Sequence, residues 1–307
     1  MNLHFGFKSV KTTEFGIGRD GGHGQTFWFV AVDKEVQVAL REMAEATWTA
    51  MQELAKTPAK YEPSEKYASC EHVYLPLADD LTKCMRKLHT ANNLTTDGNA
   101  LAEPSEVFCY FVRLTDRQGR RLTALRRATQ FKGVLKSRLI RFVSDALKIV
   151  EDRVFKLDVD FDLLVDTQNL HILRPSGFEF SGELQQAVLD AVPKNIDAIK
   201  QNLKFVEFAT IGEYASKHPR AARYLASIRA QGEMKNIDKS ALKKLCKSTG
   251  VELSDSKEQI TVQEGHVMGF LEVMDRRRYE LELVKGVPEQ YKAASRSRLR
   301  NKGGVVQ

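Results

Sequence analysis

Long apolar runs are missing from this chain. The longest span six residues, Phe27 to Val32 and Val107 to Val112, where a membrane-spanning helix needs about 20. No segment is therefore expected to cross a bilayer. The N-terminus, MNLHFGFKSVKTTEF, has no apolar stretch of the kind an export signal carries. Cysteine is scarce, with four residues at 70, 84, 109 and 246 and no CxxC pair. A disulfide framework is excluded, and free thiols in a reducing cytoplasm are expected. Glycine (19) and proline (8) are too few for a collagen-like or low-complexity chain. Catalytic signatures are also lacking: there is no GxSxG, no HExxH and no Walker loop. No catalytic residue, metal or cofactor is expected.

Positive charge is abundant, and it is unevenly spread. The 307 residues hold 47 Lys+Arg and 40 Asp+Glu, a net charge of +7. Residues 113–148 alone carry 11 basic and two acidic side chains, residues 217–247 nine and two, and residues 276–302 nine and three. These three stretches together reach +22, so the rest of the chain stands at −15. A surface polarised in this way attracts a polyanion while the total stays near balance.

The length suits about two domains, here divided as residues 1–104 and 105–303. Residues 1–24 read as a polar, Gly-rich loop, and Gln25–Val32 as a strand. Asp33 caps a helix to about Leu54, with Val36, Leu40, Met43 and Thr47 at helical spacing. A short strand at His72–Leu77 and a short helix at Leu81–His89 follow. The clearest hairpin joins 106–114 to 120–128 across Asp116-Arg117-Gln118-Gly119, and its apolar run suggests a strand covered on both faces. Strands are expected at 138–143, 153–166 and 169–173. The chain then turns helical. Ser181 starts a helix that Pro193 interrupts, His218-Pro219 starts another, and Asp238 caps a third that ends at Gly250. A strand at 259–263 precedes a helix from His266 to Leu283. The fold class is α+β: a β-rich N-terminal region with an antiparallel sheet, then a mostly helical C-terminal region.

Gly16-x-Gly18-x-x-Gly21 matches the dinucleotide fingerprint, but a strand follows it instead of preceding it, so a loop is the better reading. Cys70-x-His72 and Cys84-x4-His89 could supply four zinc ligands; buried cysteines and surface histidines are the simpler expectation. Asp158, Asp160 and Asp162 alternate along an expected strand and share one face. That face is either solvated or, with Lys156, the Mg²⁺ site of a nuclease. The basic stretches point more strongly. Arg120, Arg121, Arg126, Arg127, Lys132 and Lys136 are interleaved with apolar residues, as are Arg138 and Arg141. Guanidinium groups donate to phosphate in pairs. A 100° helical step puts Arg220 and Arg223 on one side of their helix, and Lys243 and Lys247 opposite the apolar stripe of the next. The two helices are too far apart for a helix-turn-helix, so base-specific reading is not expected.

The second half resembles a known family. FKLDVDFDLLVDTQNLHILRPSGFEF (155–180), HPRAARYLASIRAQG (218–232), NIDKSALKKLCKSTGVEL (236–253) and DRRRYELELVKGVPEQYKAASRSRL (275–299) are similar to the KwaB family. KwaB is the soluble subunit of the two-component Kiwa anti-phage system. The likeness covers roughly residues 105–300. It implies a cytoplasmic, homodimeric protein that binds double-stranded DNA and acts with a membrane-embedded KwaA-like partner at the inner membrane. It implies a block on phage DNA replication or transcription, and the alternative is a Mg²⁺-dependent nuclease effector.

Overall fold

The structure is a computed structural model that describes residues 3, 5–20, 24–92, 94–96, 106–128, 140–143, 146–149, 157–231, 234–255 and 259–293. Its fold is mixed α+β, strand-rich with one large sheet in the N-terminal part and mostly helical beyond it. The chain forms two compact units, residues 1–61 with 67–184, and residues 62–66 with 185–307. The division expected at residue 104 falls inside the first unit, because strands from either side of it pair in one sheet.

The first unit contains β1 (Val10–Asp20), β2 (Gln25–Val30), α1 (Lys34–Leu54), β3 (Ala59–Lys60), β4 (Val73–Pro76) and α2 (Lys83–Thr90). It continues with β5 (Val107–Asp116), β6 (Arg121–Arg127), β7 (Ile140–Val143), β8 (Ala146–Ile149), β9 (Leu163–Val165), β10 (Asn169–Ile172) and α3 (Pro175–Ser181). Eight strands make one sheet in the order β2-β1-β5-β6-β9-β10-β4-β3, antiparallel except for the β3–β4 pair. β7 and β8 pair separately. The expected hairpin is present as β5–β6, and its turn closes at Gly119 with φ +78°. Every β5 residue from Val107 to Leu114 is buried, so both faces of that strand are covered.

Two expectations fail here. β1 is a strand where a loop was expected. Its glycines are spacers: a Cβ on Gly16 would collide with the Phe111 ring, and one on Gly18 would lie 2.6 Å from Cys109 Sγ. The apparent fingerprint is a place where large β5 side chains cross the sheet face. The strand expected over 153–166 appears, among the described residues, only at Leu163–Val165. α1 starts as expected, with Asp33 accepting from the Val36 N–H at 2.8 Å. At its far end His72 Nδ1 lies 2.9 Å from the Met51 carbonyl and 3.0 Å from that of Ala55. Both partners can only accept, so Nδ1 carries the proton; the Met51 carbonyl also accepts from the Ala55 N–H, and that of Ala55 lies just past the helix end.

The second unit contains α4 (Gln185–Asp190), α5 (Val192–Lys200), α6 (Ala209–Ala215), α7 (Pro219–Arg229) and α8 (Lys239–Ser248). β11 (Leu253–Asp255), β12 (Ile260–Val262), α9 (Val267–Met274), β13 (Arg278–Val284) and β14 (Val287–Lys292) complete it. Ser181 ends α3 instead of starting a helix, and Pro193 sits in the first turn of α5, where its missing N–H costs nothing. α9 stops at Met274, well short of Leu283. Arg276 adopts φ +56°, and the Tyr279/Leu281/Leu283 alternation runs on as β13. Phe270, Leu271 and Met274 pack into this unit's own core with Leu225, Ile228 and Val267. Residues 62–66 form a strap on the unit. Glu62 pairs with Lys194 at 2.8 Å, the Pro63 carbonyl accepts from Arg223, and Glu65 pairs with Arg229.

Candidate nucleic-acid interface

Several arginines of the first basic stretch are engaged within their own unit, although Arg117 and Arg120 remain exposed. Arg113 is buried and donates to the carbonyls of Leu88 (2.6 Å) and Ala91 (2.8 Å). Arg121 donates to the His89 carbonyl at 2.8 Å and to Asn92 Oδ1 at 3.2 Å. Both guanidiniums thus cover the C-terminal end of α2, where carbonyls lack helical partners and a cation suits the helix dipole. Arg120 Nε pairs with Asp116 Oδ2 at 2.7 Å. The Arg127 guanidinium lies 3.8 Å from the Phe180 ring centroid. Arg120, Arg121 and Arg127 were expected to face phosphate; each has a partner within its own unit.

Arg126 is the most heavily engaged. Its Nε lies 3.1 Å from Asp158 Oδ2, and its Nη1 lies 2.7 Å from Asp162 Oδ1 and 3.3 Å from Asp160 Oδ1. Arg174 adds a bond of 2.7 Å to Asp160 Oδ2. The Tyr110 hydroxyl sits 3.0 Å from Asp158 Oδ2, and the Arg127 backbone N–H donates to Asp162 Oδ2 at 2.8 Å. Gly177 packs so closely on Asp162 that a Cβ there would collide with the carboxylate. Burial pushes the Asp162 carboxyl above the usual range, against the pull of Arg126, the Arg127 N–H and Arg174. The aspartates are therefore not the solvated strand face expected from their alternation. Val159 between them is the exposed residue, at 84%. Two arginines already bond the trio that the nuclease alternative requires.

The Cys/His set is scattered in turn. Cys70 is exposed, while His72 and His89 are buried, the reverse of the expectation. Cys84 Sγ donates to Gln25 Oε1 at 3.0 Å, and His89 Nδ1 lies 3.0 Å from Thr123 Oγ1. Burial first, then Arg121 and Arg113, pushes His89 down to about 4. Among the described residues no group of three or more His, Cys, Asp or Glu is arranged to hold a metal ion.

The second basic stretch faces the other way. α8 begins at Asp238, whose Oδ1 accepts from the Ala241 N–H at 2.7 Å, and it contains no acidic residue. Leu242 and Cys246 are buried beneath it. Lys244 and Lys247 are exposed, and Lys239 and Lys243 are half-buried at the edges of that face. On α7, Arg220 is exposed, whereas Arg223 is half-buried and donates to the Pro63 carbonyl at 3.3 Å. Tyr224 and Ser227, one turn further along α7, are buried. Lys132, Lys136 and Arg138 lie outside the described residues. Arg141 is on β7, in register with Lys148 of β8. Glu272, Arg278 and Lys292, which converge in this unit, had no signal in the sequence while α9 was read as continuing to Leu283.

Among the described residues no helix is long and apolar enough to cross a membrane. A family model described as "Kiwa protein KwaB-like" matches residues 105–283, more than half of the chain. No curated protein and no solved structure matches it.

Proposed function

This chain belongs to the KwaB-like family of Kiwa proteins, and from that premise we propose that it binds double-stranded DNA without sequence preference. The family gives it a role in Kiwa anti-phage defence. In this reading the protein works in the cytoplasm, is drawn to the inner membrane by a KwaA-like partner, and obstructs phage DNA replication or transcription without cutting the DNA. The observation that supports it most is the outer face of α8, where Lys244 and Lys247 are exposed, with Lys243 half-buried at the edge, on a helix without acids. Ammonium groups on flexible stems suit a mobile row of phosphates, and such contacts carry no sequence information. A homodimer would place two such faces along one duplex and gain avidity. No observation favours cleavage, since Arg126 and Arg174 occupy the aspartates that a metal would need.

Fluorescence anisotropy with duplexes of two unrelated sequences, at stepped salt concentrations and with Mg²⁺ present, tests the reading. Equal affinities, a steep fall of affinity with salt and intact DNA on a gel are expected. Affinity that ignores salt, or the appearance of fragments, would overturn it. Light scattering at micromolar concentration tests the assembly; a mass near 34.7 kDa removes the dimer.

A further inference from the structure

Glu272 is a carboxylate with too many cations. Its side chain is 2% exposed, on the last turns of α9. Arg278 Nε lies 2.7 Å from Oε2, Lys292 Nζ lies 2.6 Å from Oε1, and Arg220 Nη2 lies 3.7 Å from the same Oε1. One guanidinium is enough to neutralise one carboxylate. Adding two more long side chains costs rotamer freedom and sets like charges side by side. The surplus is not hidden: the side chains of Arg220 and Lys292 are 67% and 51% exposed. Arg220 also bonds the Tyr224 hydroxyl at 3.3 Å, and the ring of that tyrosine carries Arg277 at 5.3 Å from its centroid. These are preorganised donors around a fixed point, with net positive charge left over at the surface.

We propose that Glu272 is a positioning residue that assembles Arg220, Arg278 and Lys292 into a clamp for one backbone phosphate of bound DNA. The proposal rests on the DNA-binding reading and adds to it a defined grip. Arg278 Nη1 also donates to the Thr249 carbonyl at 3.2 Å, at the end of α8, so the clamp adjoins the lysine face within the same unit. A phosphodiester would offset half of the surplus charge and accept from the exposed heads of Arg220 and Lys292, with bidentate geometry available to the arginine.

The experiment compares wild type, Glu272→Gln and the double variant Arg220→Gln/Lys292→Gln by duplex anisotropy across salt, with thermal melting as a fold check. Charge alone predicts that removing a carboxylate tightens DNA binding. A clamp predicts the opposite: Glu272→Gln releases Lys292 and Arg220, and affinity falls. The double variant is expected to weaken binding about tenfold at low salt and to flatten the log–log salt slope by about 1. Should Glu272→Gln fail to fold, the double variant of exposed residues decides alone. Wild-type affinity in the double variant, or tighter binding by folded Glu272→Gln, removes the clamp and leaves the general reading standing. A wild type that binds no duplex at low salt removes both. Capture of the wild type by phosphatidylglycerol vesicles, lost in the double variant while DNA affinity holds, overturns the assignment in favour of a lipid headgroup.

Discussion

Two basic stretches that look alike as sequence end in opposite situations. In residues 113–127, Arg113, Arg120, Arg121, Arg126 and Arg127 bind carbonyls, carboxylates or a ring within their own unit. In residues 239–247, Lys244 and Lys247 of α8 are exposed over a narrow buried stripe of Leu242 and Cys246, with Lys239 and Lys243 half-buried at its edges. Both the side chain and the element contribute to the difference. A planar guanidinium satisfies fixed acceptors inside a protein, whereas an ammonium is strongly hydrated and is seldom buried. β5 and β6 lie in the middle of the sheet, with packed neighbours on either side; a helix buries one stripe and leaves the rest to solvent. Counting charge locates both stretches and does not tell them apart.

The comparison breaks most readily at Arg126. Arg126→Leu leaves buried Asp162 short of its closest cation, and a loss of about 3–5 kcal/mol in urea denaturation is expected. DNA affinity of the folded protein should hold. Weak destabilisation with strong loss of DNA binding would return this arginine to the interface. Next in size is a pH effect carried by the same inward set. His89 protonates near the ordinary 6.5 when unfolded but at about 4 when folded, because burial and the arginines hold it neutral. The unfolded state therefore takes up the proton first, and stability should fall as pH drops from about 6.5 towards 4, by up to about 3 kcal/mol. Denaturation at stepped pH measures it, and His89→Gln should flatten that part of the curve.

The outward set is tested by charge reversal. Lys243, Lys244 and Lys247→Glu together should weaken duplex binding about 100-fold in anisotropy, equally for all sequences. Stability should change by no more than about 0.5 kcal/mol per site in the same urea assay, as befits surface positions. Unchanged affinity would remove α8 from the interface. The smallest effect is expected at Arg127, where Leu replaces a cation over the Phe180 ring and should cost about 1 kcal/mol without altering DNA binding.

Local chemistry was legible in the sequence wherever it was self-contained. Asp33 and Asp238 announce α1 and α8 because a cap needs only its own first turn. The β5–β6 hairpin was plain from its apolar run and its Asp116–Gly119 turn. β1 was hidden because its glycines answer to Phe111 and Cys109, far along the chain. The partners of Arg126 were hidden for the same reason: Asp158, Asp160 and Asp162 are remote in sequence, and their regular spacing suggests a strand face that does not form. The switch from α9 to β13 turns on one left-handed residue, Arg276, with no glycine to mark it.

The strap at residues 62–66 has a consequence for how the protein is made. A ribosome delivers Glu62, Pro63 and Glu65 long before Lys194, Arg223 and Arg229, the residues that hold them. The second unit is therefore incomplete until the C-terminal half has been synthesised around a segment already translated. Domains that are continuous in sequence close as they emerge; this one is discontinuous, and the contacts of its strap cannot form until residues 194–229 have been made. A gene fragment that starts at residue 185 would encode most of the unit and none of its strap.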